Sequence, residues 1–387
     1  MSLRLLRVET TDFRNLARQT VELSPRTTVL FGANGQGKTN FLEACFLLCT
    51  LRPLRAQKLS ELVRFGAEQG TVTGSFELTG GTRQVTVSVA GGKRTARVDG
   101  KPVRDPDELF GGVAVVAFTP DDLALVKGGP EGRRRLLDRA VQNRQPAQLA
   151  DARDYLRALR SRNQLLREGA APALHEAFEE PLARVGARLR LRRERLLEEM
   201  RGRVVRAFAE VARGEEPLQL TYLAAGRDSD ALGPDASAGG EDELAEALLR
   251  AMRRRLPRDR ERGYTSVGPH ADDLSLSLGD RAARLFASQG QARAVVLAFK
   301  IGEIENLRRA QGRAPLLLLD DVSSELDPQR NEFLMRYLKE LQAQVVLTTT
   351  DRHLVAVATG GENGAASALF HGVQNGRIEA ATVPKNN

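Results

Sequence analysis

Tryptophan is absent from this 387-residue chain, and aromatic residues make up only 5% of it. Proteins that hold single-stranded nucleic acid by stacking bases on rings need more aromatics, so that mode of binding is disfavoured. Only two cysteines occur, Cys45 and Cys49, four residues apart on an expected helix. They are too few for a disulfide framework or a thiolate metal site, and core packing is the expected role. No apolar run approaches the roughly 18 residues of a membrane-spanning helix, and the first residues lack the apolar centre of a secretion signal. With 41% hydrophobic and 28% charged residues, a soluble cytoplasmic protein with no membrane partner is expected.

Positive charge is in excess, at a formal +8, which favours a polyanionic partner. The clusters Arg133 to Arg135, Arg192-Arg193 and Arg253 to Arg255 would suit backbone phosphates of double-stranded DNA, bound with little sequence preference. Arginine outnumbers lysine throughout, so the alternative for any one cluster is a solvated helix face.

Three motifs carry the chemistry. The apolar run Thr28 to Phe31 reads as a buried strand, GANGQGKT (Gly32 to Thr39) follows at once, and Phe41 to Leu51 has the apolar spacing of a helix that Arg52-Pro53 stops. Strand, glycine-rich loop and helix are the context a phosphate-binding loop requires. Gly32, Gly35 and Gly37 let the backbone turn its amides toward phosphate, and Ala33, Asn34, Gln36 and Asn40 complete the expected ATP cradle. Lys38 is placed to reach the β and γ phosphates, and Thr39 to ligate Mg2+. Near the other end, Leu316 to Leu319 reads as a strand of a parallel sheet, followed by Asp320 and Asp321. A carboxylate at that end of such a strand lies where ligands bind. Asp320 is therefore the expected Mg2+ ligand, and Asp321 the residue that orients the attacking water. SQGQ (Ser288 to Gln291) precedes an expected helix with Val295, Ala298, Phe299, Ile301, Ile304 and Leu307 on its apolar face. Ser288 could be a plain N-cap; with the Gly290 amide it could also form a second anion site. Asp327, followed by Pro328, likewise reads as an N-cap.

In that order, GANGQGKT, SQGQ, LLLLDD and SELD resemble the head of ABC-type ATPases, the class that includes SMC and related DNA-repair ATPases. The opening LRLLRVETTDFRNL is similar to the start of the DNA-repair heads. FTPDDLALVKGGPEGRRRLLD (Phe118 to Asp138) and SVGPHADDL (Ser266 to Leu274) resemble the RecF family of bacterial recombination mediators. The resemblance implies an α/β head, with a mixed sheet, a phosphate-loop helix and an antiparallel β-meander, interrupted by a mostly helical arm. It implies a homodimer closing on two ATP molecules, with Ser288, Gly290 and Gln291 of one copy capping the γ-phosphate held by the other and Asp327 near the interface. It further implies action at gapped or junction DNA, with RecR, RecO and RecA as partners. Three departures stand out. Asp321 occupies a place where transport-type members carry glutamate, implying slow hydrolysis. The switch histidine expected after Val345 to Thr348 is replaced by Thr349, Thr350 and Asp351, with His353 displaced. No glutamine marks the loop that watches the γ-phosphate, where Asp121 or Asp122 could stand in.

The expected organisation is 1–128 for the first part of the head, 129–260 for the arm and 261–387 for the second part. Residues 71 to 105 alternate polar and apolar between Gly80-Gly81, Gly91-Gly92 and Asp99-Gly100, as a meander would. Leu182 to Phe208 carries apolar residues at helical spacing, and Gly226 to Gly240 reads as an exposed loop. The competing function is an ABC-type subunit driving a membrane transporter; a second is a clamp that uses ATP only as glue. Stimulation of hydrolysis by duplex DNA separates these readings.

Overall fold

The computed structural model describes residues 3–78, 80–104, 108–109, 113–145, 147–212, 216–225, 239–322, 326–350 and 368–381. Two compact units are present, one made of residues 1–122 and 303–387, the other of 123–302. The second unit thus runs further along the chain than the expected arm and takes in Ser288.

The first unit opens with β1 (Arg4–Thr11), β2 (Gln19–Glu22), β3 (Thr27–Phe31) and α1 (Lys38–Thr50), then β4 (Gln69–Leu78), β5 (Gly81–Ala90), β6 (Lys93–Val98), β7 (Lys101–Val103) and β8 (Val115–Phe118). The meander expected from alternation is β4 to β7, which joins an antiparallel sheet in the order β2-β1-β4-β5-β6-β7. Alternation decides its two faces: Val72, Phe76, Val85 and Val87 are buried, while the hydroxyls of Thr73 and Thr86 bond across the strands at 3.1 Å. Helix α1 is buried on nearly every side, as a helix apolar all round must be. Cys45 and Cys49 are free and buried within it, and burial pushes both thiols up, which leaves them unreactive.

The second unit contains α2 (Pro130–Arg144), α3 (Gln148–Arg167), α4 (Pro172–Val211), β9 (Leu218–Leu223), α5 (Gly240–Arg262), β10 (Asp273–Leu278), β11 (Arg281–Ala282), α6 (Ala283–Phe286) and the start of α7 (Gln289–Gln311). Tyr155, Leu182, Ala183, Leu248 and Met252 form the core among α3, α4 and α5. Leu196, Met200, Val204 and Phe208 extend the buried stripe along α4, as their spacing predicts.

Part of the arginine reading needs correction here. Arg133 and Arg193 are neither DNA-facing nor solvated: both are buried, Arg133 forked onto Asp273 at 2.6 and 2.8 Å and Arg193 onto Asp138 at 2.7 and 2.8 Å. Arg192 pairs with Asp151 at 2.6 Å. The planar guanidinium suits such bidentate pairing, and charges this deep require it. Sequence clustering alone cannot tell a basic surface from one edge of an internal ion-pair network, because the acids come from distant segments.

The chain returns to the first unit with β12 (Leu316–Asp320), α8 (Pro328–Leu341), β13 (Val345–Thr349), β14 (Ala368–Gln374) and β15 (Arg377–Ala381). The second sheet of this unit has the order β15-β14-β3-β13-β12-β8. All its neighbouring strands are parallel except the β14–β15 hairpin. Strands β8, β12 and β13 are buried throughout, matching the unbroken apolar runs of a covered parallel sheet. Most of the Gly226 to Gly240 break, the Ser323 to Glu325 stretch and Asp351 with His353 lie outside the described residues.

Candidate nucleotide site

Strand β13 separates β3 from β12, so the phosphate loop after β3 and the aspartates after β12 emerge at the same edge of the sheet. Their side chains meet directly. Thr39 Oγ1 donates to Asp320 Oδ1 at 2.7 Å. Thr348, paired in register with Asp320, donates to the same oxygen at 2.9 Å and accepts from the Asp321 amide at 2.9 Å. Asp321 takes the left-handed conformation, φ 50°, which ends the strand abruptly and which aspartate tolerates better than most residues. Lys38 curls back over its own loop, donating to the carbonyls of Gly32 at 2.7 Å and Ala33 at 3.0 Å. Burial pulls its ammonium below the ordinary lysine range, while the charges of Asp321 and Asp320 oppose that shift.

Three contributors escaped the sequence reading. Thr348 is one; its signal was a hydroxyl at the exit of an otherwise apolar strand. Glu43 is the single acid in the apolar helix α1, buried, accepting from the Arg55 and Ala56 amides at 3.1 Å and from Arg14 Nε at 2.8 Å. Arg55, on the segment Glu43 holds, lies 3.3 Å from Asp121 and 3.9 Å from Asp320. Of the two acids offered for the γ-phosphate loop, Asp122 is buried and accepts from the Thr119 amide at 2.7 Å. Asp121 is the more exposed and faces Arg55.

The turn Phe13 to Leu16 packs beneath the loop. Asn15 Nδ2 donates to Gln36 O at 3.3 Å, and Asn40 Nδ2 donates to Asn15 Oδ1 at 2.8 Å. A Cβ at Gly37 would lie 2.8 Å from that Asn15 oxygen and displace the Asn15 side chain, and φ 115° there favours glycine. In the second unit, Ser288 Oγ accepts from the Gln291 amide at 3.1 Å while Gln291 Oε1 accepts from the Ser288 amide at 2.7 Å. This reciprocal cap fixes the start of α7. Asp327 caps α8, accepting from the Arg330 amide at 3.0 Å. Both capping readings therefore hold, and capping leaves open any further role of either residue.

The phosphate loop and the paired aspartates, brought together within the first unit, are the arrangement of an ABC-type nucleotide-binding head. The chain belongs to the RecF/RecN/SMC N-terminal domain family, whose model matches residues 4–366, and within it to the RecF branch. It is 57% identical over 362 residues to the DNA replication and repair protein RecF of Anaeromyxobacter sp. (strain K), covering 92% of this chain and 95% of the relative. It is 54% identical over 355 residues to RecF of Myxococcus xanthus (strain DK1622), covering 91% and 92%. A solved structure of the recombination mediator protein RecF with ATPrS, in the RecFOR pathway, superposes with a TM-score of 0.85 at 30% identity, covering 98% of both chains. An SMC head bound to the winged-helix domain of ScpA has a TM-score of 0.54 at 16% identity and shares the fold alone.

Proposed function

We propose that this chain is a DNA-binding ATPase of recombinational DNA repair whose two copies close on ATP, with the loop Gly32 to Thr39 of one and Ser288, Gly290 and Gln291 of the other around each triphosphate. The hydrogen-bond chain Thr39–Asp320–Thr348–Asp321 carries this reading. It joins the phosphate-loop hydroxyl to the Asp320 carboxylate and, through Thr348, to the main-chain amide of Asp321, within the first unit alone. A hydroxyl and a carboxylate oxygen 2.7 Å apart fit Mg2+, which takes few protein ligands and keeps waters and phosphate oxygens. Among the described residues no group of three or more His, Cys, Asp or Glu could hold a metal by itself, in keeping with a nucleotide-borne ion. Thr39 and Asp320 would hold it, and it would neutralise charge on the β and γ phosphates. Lys38 would leave its two carbonyls for the same phosphates, and Asp321, fixed by its amide, would orient water.

The RecF-named relatives support a role in DNA replication and repair, and the RecFOR neighbour supports RecO and RecR as partners; RecA as a further partner rests on the family resemblance alone. Gapped or junction DNA, slow DNA-stimulated hydrolysis and a cytoplasmic location complete the proposal. Among the described residues no helix is long and apolar enough to cross a membrane; it is the relatives named for DNA replication and repair that leave the transporter reading without support. Sedimentation with ATP, with ADP and without nucleotide is the test: dimers are expected with ATP alone. Ser288→Arg should bind ATP and stay monomeric, and normal dimers of that variant would remove Ser288 from the site. Lys38→Met should lose ATP binding, and tight binding would contradict its role.

A further inference from the structure

The β14–β15 hairpin returns from the far end of the sequence to grip the apex of the phosphate loop. At its turn the Asn375 amide donates to Gln36 Oε1 at 2.7 Å, and the Gly376 amide donates to Gln36 O at 2.8 Å. That carbonyl also accepts from Asn15 Nδ2 at 3.3 Å, so one loop residue is held by three donors from two segments. The hairpin turn is in turn fixed by one side chain. Gln19, at the start of β2, donates through Nε2 to Gly376 O at 2.9 Å and accepts through Oε1 from the Ile378 amide at 2.8 Å. Gly376 has φ 77°, and a Cβ there would lie 2.1 Å from Asn15 O. The turn, the Phe13 to Leu16 segment and the phosphate loop are therefore packed without spare room. A cavity of about 1040 Å3, lined by Gly32, Ala33, Gln36, Val373 and Arg377 among others, opens beside this brace.

We propose that Gln19 is a positioning residue for ATP: through the Asn375–Gly376 turn it holds Gln36 so that the loop amides stay aimed at phosphate before nucleotide arrives. This rests on the reading that Gly32 to Thr39 binds ATP. Gln36 then belongs to the brace through its side chain, and its contribution to ATP is made by main-chain geometry. The physical reason is entropy. A glycine-rich loop that must order on binding loses affinity, and hydrogen bonds that order it beforehand restore that affinity. A brace of this kind changes binding of ground and transition states alike, so it acts on KM and Kd and leaves kcat alone.

The experiment uses full-length protein and ATP titrated by calorimetry, with steady-state hydrolysis alongside. Gln19→Ala is expected to weaken ATP binding about tenfold, the size of one or two lost neutral hydrogen bonds, with kcat at saturating ATP within about twofold. Gln19→Glu keeps the acceptor for Ile378 but sets a carboxylate oxygen against the Gly376 carbonyl, and is expected to weaken binding at least as much as Gln19→Ala. Because Gln19 acts in part through the Gln36 side chain, the double variant Gln19→Ala, Gln36→Ala should lose less than the product of the two single losses. ATP binding by Gln19→Ala equal to that of the unmodified chain, or losses that simply multiply in the double variant, would overturn the proposal. Lys38→Met in parallel separates the two layers. If it too binds ATP normally, the nucleotide reading fails; if it loses binding while Gln19→Ala does not, only the brace fails.

Discussion

At single positions, the site is built from residues that each serve two partners. Thr348 donates to the Asp320 carboxylate and accepts from the Asp321 amide, so its hydroxyl orients the Asp320 carboxylate and fixes the main chain from which the Asp321 side chain departs. Thr348→Val keeps shape and removes both bonds. Hydrolysis is expected to fall by at least about tenfold, as loss of one or two positioning hydrogen bonds does, with ATP affinity little changed; an unaltered turnover number would show that Asp321 is held by other means. His270 gives a second residue-level prediction. Its Nε2 lies 2.8 Å from Thr265 O and so carries the proton, leaving Nδ1 to accept from the Tyr155 hydroxyl at 2.6 Å. Burial holds the imidazole below the usual histidine range; the Thr265 bond, Asp272 and Asp259 push it up, and Arg134 pushes it further down. Because the folded value is lower than the unfolded one, the unfolded chain binds more protons as pH falls through the ordinary histidine range, and stability declines in that direction. The melting temperature should therefore drop between about pH 7.5 and pH 5.5, and His270→Gln should flatten part of that slope. A variant with the same pH profile would assign the loss to other groups.

Legibility from sequence differs from one element to the next for physical reasons. Strand β3 with its loop and α1, strand β12, and the meander were all readable, because each is specified by local periodicity and by glycine at fixed offsets. The capping residues Ser288 and Asp327 were readable for the same reason. What local pattern cannot encode is which distant segment a charged side chain meets. Arg162 on α3 is fully buried and binds Glu179 on α4 at 3.0 and 3.1 Å and Asp259 near the end of α5 at 3.0 Å. Nothing around Arg162 in the sequence distinguishes it from the solvated arginines beside it. The brace on Gln36 was hidden likewise, since Gln19 and Gly376 are 357 positions apart. The ion cluster makes a sharp element-level prediction. Arg162→Leu strips Asp259 of its arginine and leaves Glu179 with only Arg253, 3.9 Å away, and should destabilise the three-helix core by about 3–5 kcal/mol, read from urea unfolding. Changing Arg162, Glu179 and Asp259 together to apolar residues should cost much less. A single variant within about 1 kcal/mol of the unmodified chain would mean that water or proton uptake relieves the charge.

For the molecule as a whole, the 58 lysines and arginines overstate the cations that a DNA backbone can meet, because arginines such as Arg133, Arg162, Arg190 and Arg193 are buried against acids; such pairs cancel and do not reduce the formal +8. Affinity for duplex DNA falls with salt in proportion to the phosphates neutralised, with a slope of roughly 0.9 per contact on logarithmic axes. Only cations that reach solvent contribute to that slope. Arg193→Gln should thus leave the salt dependence of duplex binding unchanged while lowering the melting temperature, since it strips Asp138 of its bidentate partner. Arg133→Gln should do the same through Asp273. The measurement is duplex affinity across a salt series, with ATP present, for each variant and the unmodified chain. A slope shallower by about one unit in either variant would mean that the arginine leaves its buried partner to take a phosphate, and the internal network would then have to open when DNA binds.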